Sequence, residues 1–222
     1  MQGVAGLGWQ PLPGGAWWDG GDTPGQPVAP LDARHVALAR FAVWFESSDS
    51  YTHGHCERVA RYASEVACAL GLDQSEAADV RLGAYLHDVG KIRVPKDILN
   101  KPGRLTAAEF DVMKMHPVWG LEMLEGVELS PEVRVSIRSH HEKRDGSGYP
   151  DGLRGGGIPL HAAIIGIADV YDALTSSRIY RPAMPGPAAM AEMHARRRWW
   201  RSEVYAAFRR AAASPRAHDP VA

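Results

Sequence analysis

The sequence predicts an all-α fold. Apolar residues recur at helical spacing in several segments, those segments are separated by turn and capping residues, and no stretch alternates apolar and polar positions as a half-buried strand does. At 222 residues the chain is long enough to bury a substantial single-domain core without disulfides or a structural metal.

Residues Met1 to Pro30 are crowded with Gly and Pro, carry Trp9, Trp17 and Trp18, and keep no period. They are expected to form a flexible extension ahead of a helical domain over 31–213, with a short tail over 214–222. Val36, Leu38, Ala39, Ala42 and Val43 predict a first helix between Leu31 and Phe45. After a Ser-Ser-Asp-Ser turn, a second helix runs through Leu70 with Val59, Ala60, Tyr62, Ala63, Val66, Ala67 and Leu70 on its buried stripe. His55 stands one turn before Val59 and shares that face, whereas His53 must point elsewhere. Gly71 ends this helix, Asp73 or Ser75 caps the next, and Ala77, Val80, Leu82, Ala84, Tyr85 and Leu86 carry it to His87-Asp88.

Pro95 opens an irregular stretch, and Lys101-Pro102-Gly103 is a turn. Thr106-Ala107-Ala108-Glu109 is a capping box starting a helix whose apolar side is assigned to Phe110, Met113 and Met115 before His116-Pro117. A helix from Pro131, with Val133, Val135 and Ile137, delivers His140-His141. The run from Glu142 to Pro150 is too polar and Gly-rich for helix or strand. The strongly apolar run Leu160 to Leu174 contains Asp169, a buried charge that demands a partner.

A net charge of −1 argues against a surface built for nucleic acid or anionic lipid, and the basic group Arg196, Arg197, Arg198 and Arg201 reads as a solvated face. Cys56 and Cys68 are too few for a disulfide framework. No apolar run reaches membrane-span length and no basic segment precedes an apolar core at the N-terminus, so a cytoplasmic protein without membrane insertion is expected.

The chemistry centres on His87-Asp88. Imidazole and carboxylate together suit a borderline or hard divalent metal, and a carboxylate has two oxygens with which to bridge two ions. On its own the pair is an ordinary helix end closed by Gly90 and Lys91. Its significance comes from His55, His116, His140, His141 and Asp169, which stand at the polar edges of other helical stripes, as ligands do when a helical bundle builds a metal site from several helices. Two adjacent ions bridged by Asp88 would activate one hydroxide.

These residues carry a resemblance to the HD-GYP domain, the bacterial branch of the HD phosphohydrolases that degrades cyclic di-GMP. It runs from about Leu31 to about Ala183 through Tyr51-Thr52, His55, Arg58-Val59, His87-Asp88-Val89-Gly90-Lys91, Lys101-Pro102-Gly103-Arg104-Leu105-Thr106, His116-Pro117, His140-His141-Glu142, Asp145-Gly146-Ser147-Gly148-Tyr149-Pro150 and Ala168-Asp169-Val170-Tyr171-Asp172. The resemblance implies an HD-type helical bundle with a di-metal site of iron or manganese in its core: His55, His87, Asp88 and Asp169 around one ion, His116, His140 and His141 around its neighbour. It implies cleavage of cyclic di-GMP to pGpG, with GMP as a further product. Asp88 and Lys91 would be catalytic, and Lys91, Tyr149, Arg178 and Arg181 would hold the substrate. Tyr51 stands where some relatives place a glutamate for a third metal, so two ions are expected, and a third would need another ligand such as Asp172. The closing stretch Arg198-Trp199-Trp200-Arg201 departs from the family's Phe-Asp-Pro turn.

Two other readings are an HD hydrolase of another nucleotide, since metal ligands do not choose a base, and a non-catalytic module that binds a cyclic dinucleotide or a protein such as a diguanylate cyclase. Because Met1 to Pro30 is too short for a sensor domain, regulation is expected from a separate protein.

Overall fold

A computed structural model describes residues 31–47, 54–177 and 182–212. The expectations for residues 1–30, the terminal tail, His53, Tyr51, Arg178 and Arg181 lie outside the described residues. Ten α-helices are described: α1 Ala33–Ser47, α2 His55–Leu70, α3 Gln74–Leu86, α4 Lys96–Leu99, α5 Ala107–Met113, α6 His116–Met123, α7 Pro131–Ser139, α8 Leu160–Thr175, α9 Gly186–Ala195 and α10 Ser202–Ala212. Short 3-10 turns occupy Val89–Arg93, Gly155–Gly157 and Arg197–Trp199. Among the described residues there is no strand, only an isolated bridge between Asp145 and Arg154.

Local chemistry sets the boundaries. Asp73 accepts from the Glu76 amide while Glu76 reaches back to the Asp73 amide, and Thr106 and Glu109 do the same at α5. Gly71 closes α2 in the left-handed region at φ 77°, a conformation that spares glycine the Cβ clash of other residues. The stretch after Pro95 is less irregular than its sequence suggests, because Lys96–Leu99 completes one helical turn.

Two apolar clusters share α3. Val80 and Ala84 join Val59, Val66, Ile164, Ile167, Tyr171, Met193, Val204 and Phe208. Leu82 and Leu86 join Ala42, Val89, Leu124, Val133 and Ile137. Burying each Val, Leu, Ile, Met or Phe side chain here stabilises the fold by roughly 1.5–3 kcal/mol. Tyr171 links α2, α8 and α10 through edge-on contacts with Tyr62 and Phe208 at 5.2 and 5.1 Å. The C-terminal segment belongs to this core despite its unusual sequence, with Trp200 4% exposed.

One expectation fails here. Phe110 and Met115, assigned to the apolar side of α5 and its continuation toward His116, are 45% and 39% exposed. Helix α5 is only seven residues long and buries none of its own residues, so its period did not report a buried face.

Two close backbone approaches position the site. A Cβ on Gly90 would lie 2.0 Å from the His116 carbonyl oxygen, so the turn after Asp88 rests directly on the start of α6. A Cβ on Gly166 would lie 2.2 Å from the His140 carbonyl oxygen, so α8 presses against the end of α7 one turn before Asp169.

Candidate metal centre

Three imidazoles are aimed by the same local device. Nδ1 of His87, His116 and His140 lies 2.7, 2.8 and 2.8 Å from the carbonyl oxygen three residues earlier, on Ala84, Met113 and Ile137. A carbonyl only accepts, so Nδ1 carries the hydrogen and, in the neutral ring, Nε2 presents a lone pair. Those Nε2 atoms face other acceptors. His116 Nε2 is 3.3 Å from His140 Nε2 and 3.2 Å from Asp88 Oδ1, and His87 Nε2 is 3.4 Å from both His55 Nε2 and Asp88 Oδ2.

Asp88 divides the cluster. His116 and His140 approach its Oδ1, whereas His55 and His87 approach its Oδ2. Two groups result, Asp88 with His116, His140 and His141, and Asp88 with His55 and His87, each with donor atoms within 4.8 Å of one another. Asp169 spans the two, its Oδ1 3.6 Å from His55 Nε2 and its Oδ2 3.9 Å from His141 Nδ1. All seven of the expected ligands therefore stand together.

The donor set fits divalent metal. Buried Asp88 Oδ1 accepts no well-formed hydrogen bond although His116 Nε2 is 3.2 Å away. Lone pairs crowded this closely without hydrogens between them repel unless a cation or proton sits among them. Nitrogen and carboxylate oxygen, without thiolate, make a set of borderline and hard donors.

Electrostatics divides the histidines. Burial pushes His140 and His141 well below the usual imidazole range, reinforced by neighbouring histidines, which keeps both neutral and fit to ligate. Burial also works against charge on His55, but the hydrogen bond to Asp172 and the nearby Asp88 and Asp169 carboxylates outweigh it and raise its pKa to about 10. Burial alone would raise Asp88; the charges of Lys91 and His87 overcome it and hold the carboxyl well below its usual range.

Around the cluster lie groups the sequence reading placed only in part. Lys91 forms a short ion pair with Asp88, within reach of any anion there. Tyr149 stacks beside His141 with centroids 4.6 Å apart, and burial raises its pKa, so it remains a phenol. Asp172 is not an open ligand for a further metal. Its oxygens are engaged by His55 Nδ1 at 2.7 Å and by the Arg58 guanidinium. Its place three residues after Asp169, on the same face of α8, was the available signal.

The loop carrying Tyr149 is knitted by a residue that sequence reasoning left unassigned. Glu142, 5% exposed, accepts from the backbone amides of Asp151, Gly152 and Leu153 at 2.7, 3.0 and 2.9 Å. The Trp199-Trp200 segment braces the loop's other side: the Arg144 amide donates to the Trp199 carbonyl, and the Lys143 ammonium lies 5.4 and 5.0 Å from the two indole centres.

The family model described as HD domain matches residues 45–203. The chain is 45% identical over 163 residues to the cyclic di-GMP phosphodiesterase response regulator RpfG of Xanthomonas campestris, covering 72% of this chain and 43% of that protein. It is 37% identical over 172 residues to the 3'3'-cGAMP-specific phosphodiesterase 3 of Vibrio cholerae, covering 77% and 37%. The chain thus spans less than half the length of either relative. Among solved structures, a cyclic GMP-AMP specific phosphodiesterase of V. cholerae, V-cGAP3, is 31% identical with a TM-score of 0.53, covering 85% of this chain and 44% of that one. An HDG"Y"P protein from Bdellovibrio bacteriovorus shares the fold at a TM-score of 0.60 and 21% identity, covering 78% and 60%.

Proposed function

The chain belongs to the HD-domain family, and from that premise we propose that it is a metal-dependent phosphodiesterase that opens cyclic di-GMP to pGpG, with GMP as a further product. The observation that carries this reading is the division of five imidazoles into two donor groups that share Asp88, with Asp169 spanning the two. HD-domain phosphohydrolases bind divalent metals, and two iron or manganese ions suit this donor set.

Bound ions supply Lewis-acid polarisation of the phosphodiester and a water nucleophile available at neutral pH. The protein's own part is positional and electrostatic. Asp88 joins the two halves of the site, Asp169 spans them, and Asp172 with Arg58 fixes the ring of His55. The Lys91 ammonium is placed to meet a non-bridging phosphate oxygen beside Asp88. Tyr149 flanks the site as a neutral ring and hydroxyl donor. Arg178 and Arg181, outside the described residues, are assigned to the phosphates on their motif position.

A second substrate is favoured by a specific observation: relatives 37% and 42% identical to this chain are named 3'3'-cGAMP-specific phosphodiesterases. Anaerobic purification, metal analysis and product chromatography with both dinucleotides separate the readings. Metal-dependent release of pGpG supports the first, and exclusive cleavage of 3'3'-cGAMP moves the assignment to that substrate. Binding without turnover in metal-loaded protein would overturn hydrolysis in favour of a signalling module whose partner would be a diguanylate cyclase or another regulatory protein.

A further inference from the structure

Phe110 is 45% exposed on a helix that buries none of its own residues, yet its ring is not isolated. It meets Tyr149 edge-on, with centroids 6.0 Å apart and planes at 84°. Tyr149 in turn lies 4.6 Å from His141 at an angle of 33° and 6.3 Å from His116. A continuous succession of rings therefore leads from the donor cluster outward to a solvent-facing aromatic. Among the described residues, the other large exposed aromatics, Phe41 and Trp44 on α1, contact each other at 6.1 Å.

Covering an exposed phenyl ring removes apolar area from water, and a flat aromatic partner adds a stacking contact. The two rings meet nearly perpendicular, and 45% of Phe110 stays open to solvent. The Lys114 ammonium is 5.4 Å from the Phe110 centroid, and Lys114 also pairs with Asp111 at 2.6 Å. An aromatic surface with a cation close by suits a ligand that joins a nucleobase to a phosphate anion. The distance scale also suits this: a base attached through ribose to a phosphate held at the cluster stands a few ring widths away.

We propose that Phe110 is the stacking platform for one purine base of the substrate, and that it makes this site prefer diesters carrying a nucleobase over bare phosphate. The proposal rests on the cyclic dinucleotide reading of the site and adds to it a residue that touches the base rather than the phosphate. Because Phe110 lies outside the donor set, its loss separates base recognition from anion recognition.

The test uses metal-loaded protein and a cyclic dinucleotide with one guanine replaced by 2-aminopurine, whose fluorescence falls on stacking. Inorganic phosphate, as a competitor, reports the anion site alone. The expected result is quenching with the unsubstituted protein and a roughly five- to hundredfold weaker dissociation constant for Phe110→Ala. Phe110→Leu, which keeps apolar bulk and guards against misfolding, should weaken binding similarly, Phe110→Trp should restore it, and Trp44→Ala should change nothing. Competition by phosphate should be unchanged in every variant. Unsubstituted affinity and quenching in both Phe110→Ala and Phe110→Leu would overturn the platform, as would equal weakening of phosphate. If the unsubstituted protein neither binds nor cleaves a cyclic dinucleotide, the functional reading falls and this one with it, and that outcome is read before any variant is made.

Discussion

Asp172 Oδ2 lies 2.7 Å from Nδ1 of His55, joining residues 117 positions apart. His55 is the one histidine of the donor groups whose Nδ1 is held by a carboxylate at hydrogen-bond distance; His87, His116 and His140 use carbonyls of their own chain neighbourhood. The Arg58 guanidinium fixes the same carboxylate from the other side. A carboxylate behind a ligating imidazole sets the ring's orientation and makes Nε2 more basic.

Asp172→Asn keeps the side-chain shape and removes the charge. Metal affinity or activity should fall by roughly 10–100-fold, as is typical when a partner behind a ligand is lost. Metal content at equilibrium with a buffered manganese series measures this, with circular dichroism as the check on folding. Native-like affinity in well-folded protein would mean that the His55 ring needs no such support.

Metal binding should release a proton at neutral pH. Against burial, the hydrogen bond to Asp172 pushes the His55 pKa up to about 10 and the Asp88 charge raises that of His87, so His55 is protonated at pH 7 and must become neutral to ligate. His140 and His141, held below the ordinary range by burial, are already neutral there and add nothing. Apparent affinity should therefore rise with pH from neutrality up to about 10 and weaken as pH falls. Calorimetric titration of manganese in two buffers of different ionisation enthalpy counts the protons. A count of zero at pH 7 would contradict a protonated His55.

Gly166→Ala should destabilise the protein despite alanine's better helix propensity, worth about 1 kcal/mol. The added Cβ would sit 2.2 Å from the His140 carbonyl oxygen, a backbone atom that cannot swing aside. Overpacking of this kind costs about 1–3 kcal/mol before any propensity gain. A lower urea midpoint with lower metal occupancy is expected, because the end of α7 carries His140 and His141. An unchanged midpoint would show that α7 and α8 separate freely.

Asp88→Ala should abolish hydrolysis together with metal binding, since both halves of the donor cluster share that carboxylate. Arg178→Ala should act at a different stage. A guanidinium gripping phosphate in the ground state affects KM more than kcat, by roughly ten- to hundredfold. Steady-state kinetics at measured metal occupancy distinguishes the two, and full turnover by metal-free Asp88→Ala protein would end the mechanism proposed.

The helices and the donor cluster were legible in sequence for different reasons. Apolar stripes such as Val59, Ala63 and Val66 report burial through their period, and the boxes at Asp73 and Thr106 are local chemistry. The seven clustered side chains were legible because imidazoles and carboxylates at the edges of apolar stripes are costly unless they meet. What escaped depends on contacts distant in sequence or on single loop atoms. Glu142 gives no pattern for the three amides it binds, and nothing in Trp199-Trp200 announces a brace for Lys143. Phe110 misled because the apolar residues of a helix only seven residues long look the same whether their face is buried or open.

The carbonyl three residues behind each of His87, His116 and His140 makes each of these residues a self-contained tip. The imidazole's direction is written into four consecutive residues and carries over whenever that short piece is kept. The stem beyond it is then free to drift, exchanging one aliphatic residue for another, without re-aiming the ring. His55, steered instead by a carboxylate on another helix, has no such freedom: a change in how α2 and α8 pack must be answered on both helices at once. Sequence divergence in proteins built this way should therefore be uneven, loose along the stems of α3 and α7 and coordinated between α2 and α8.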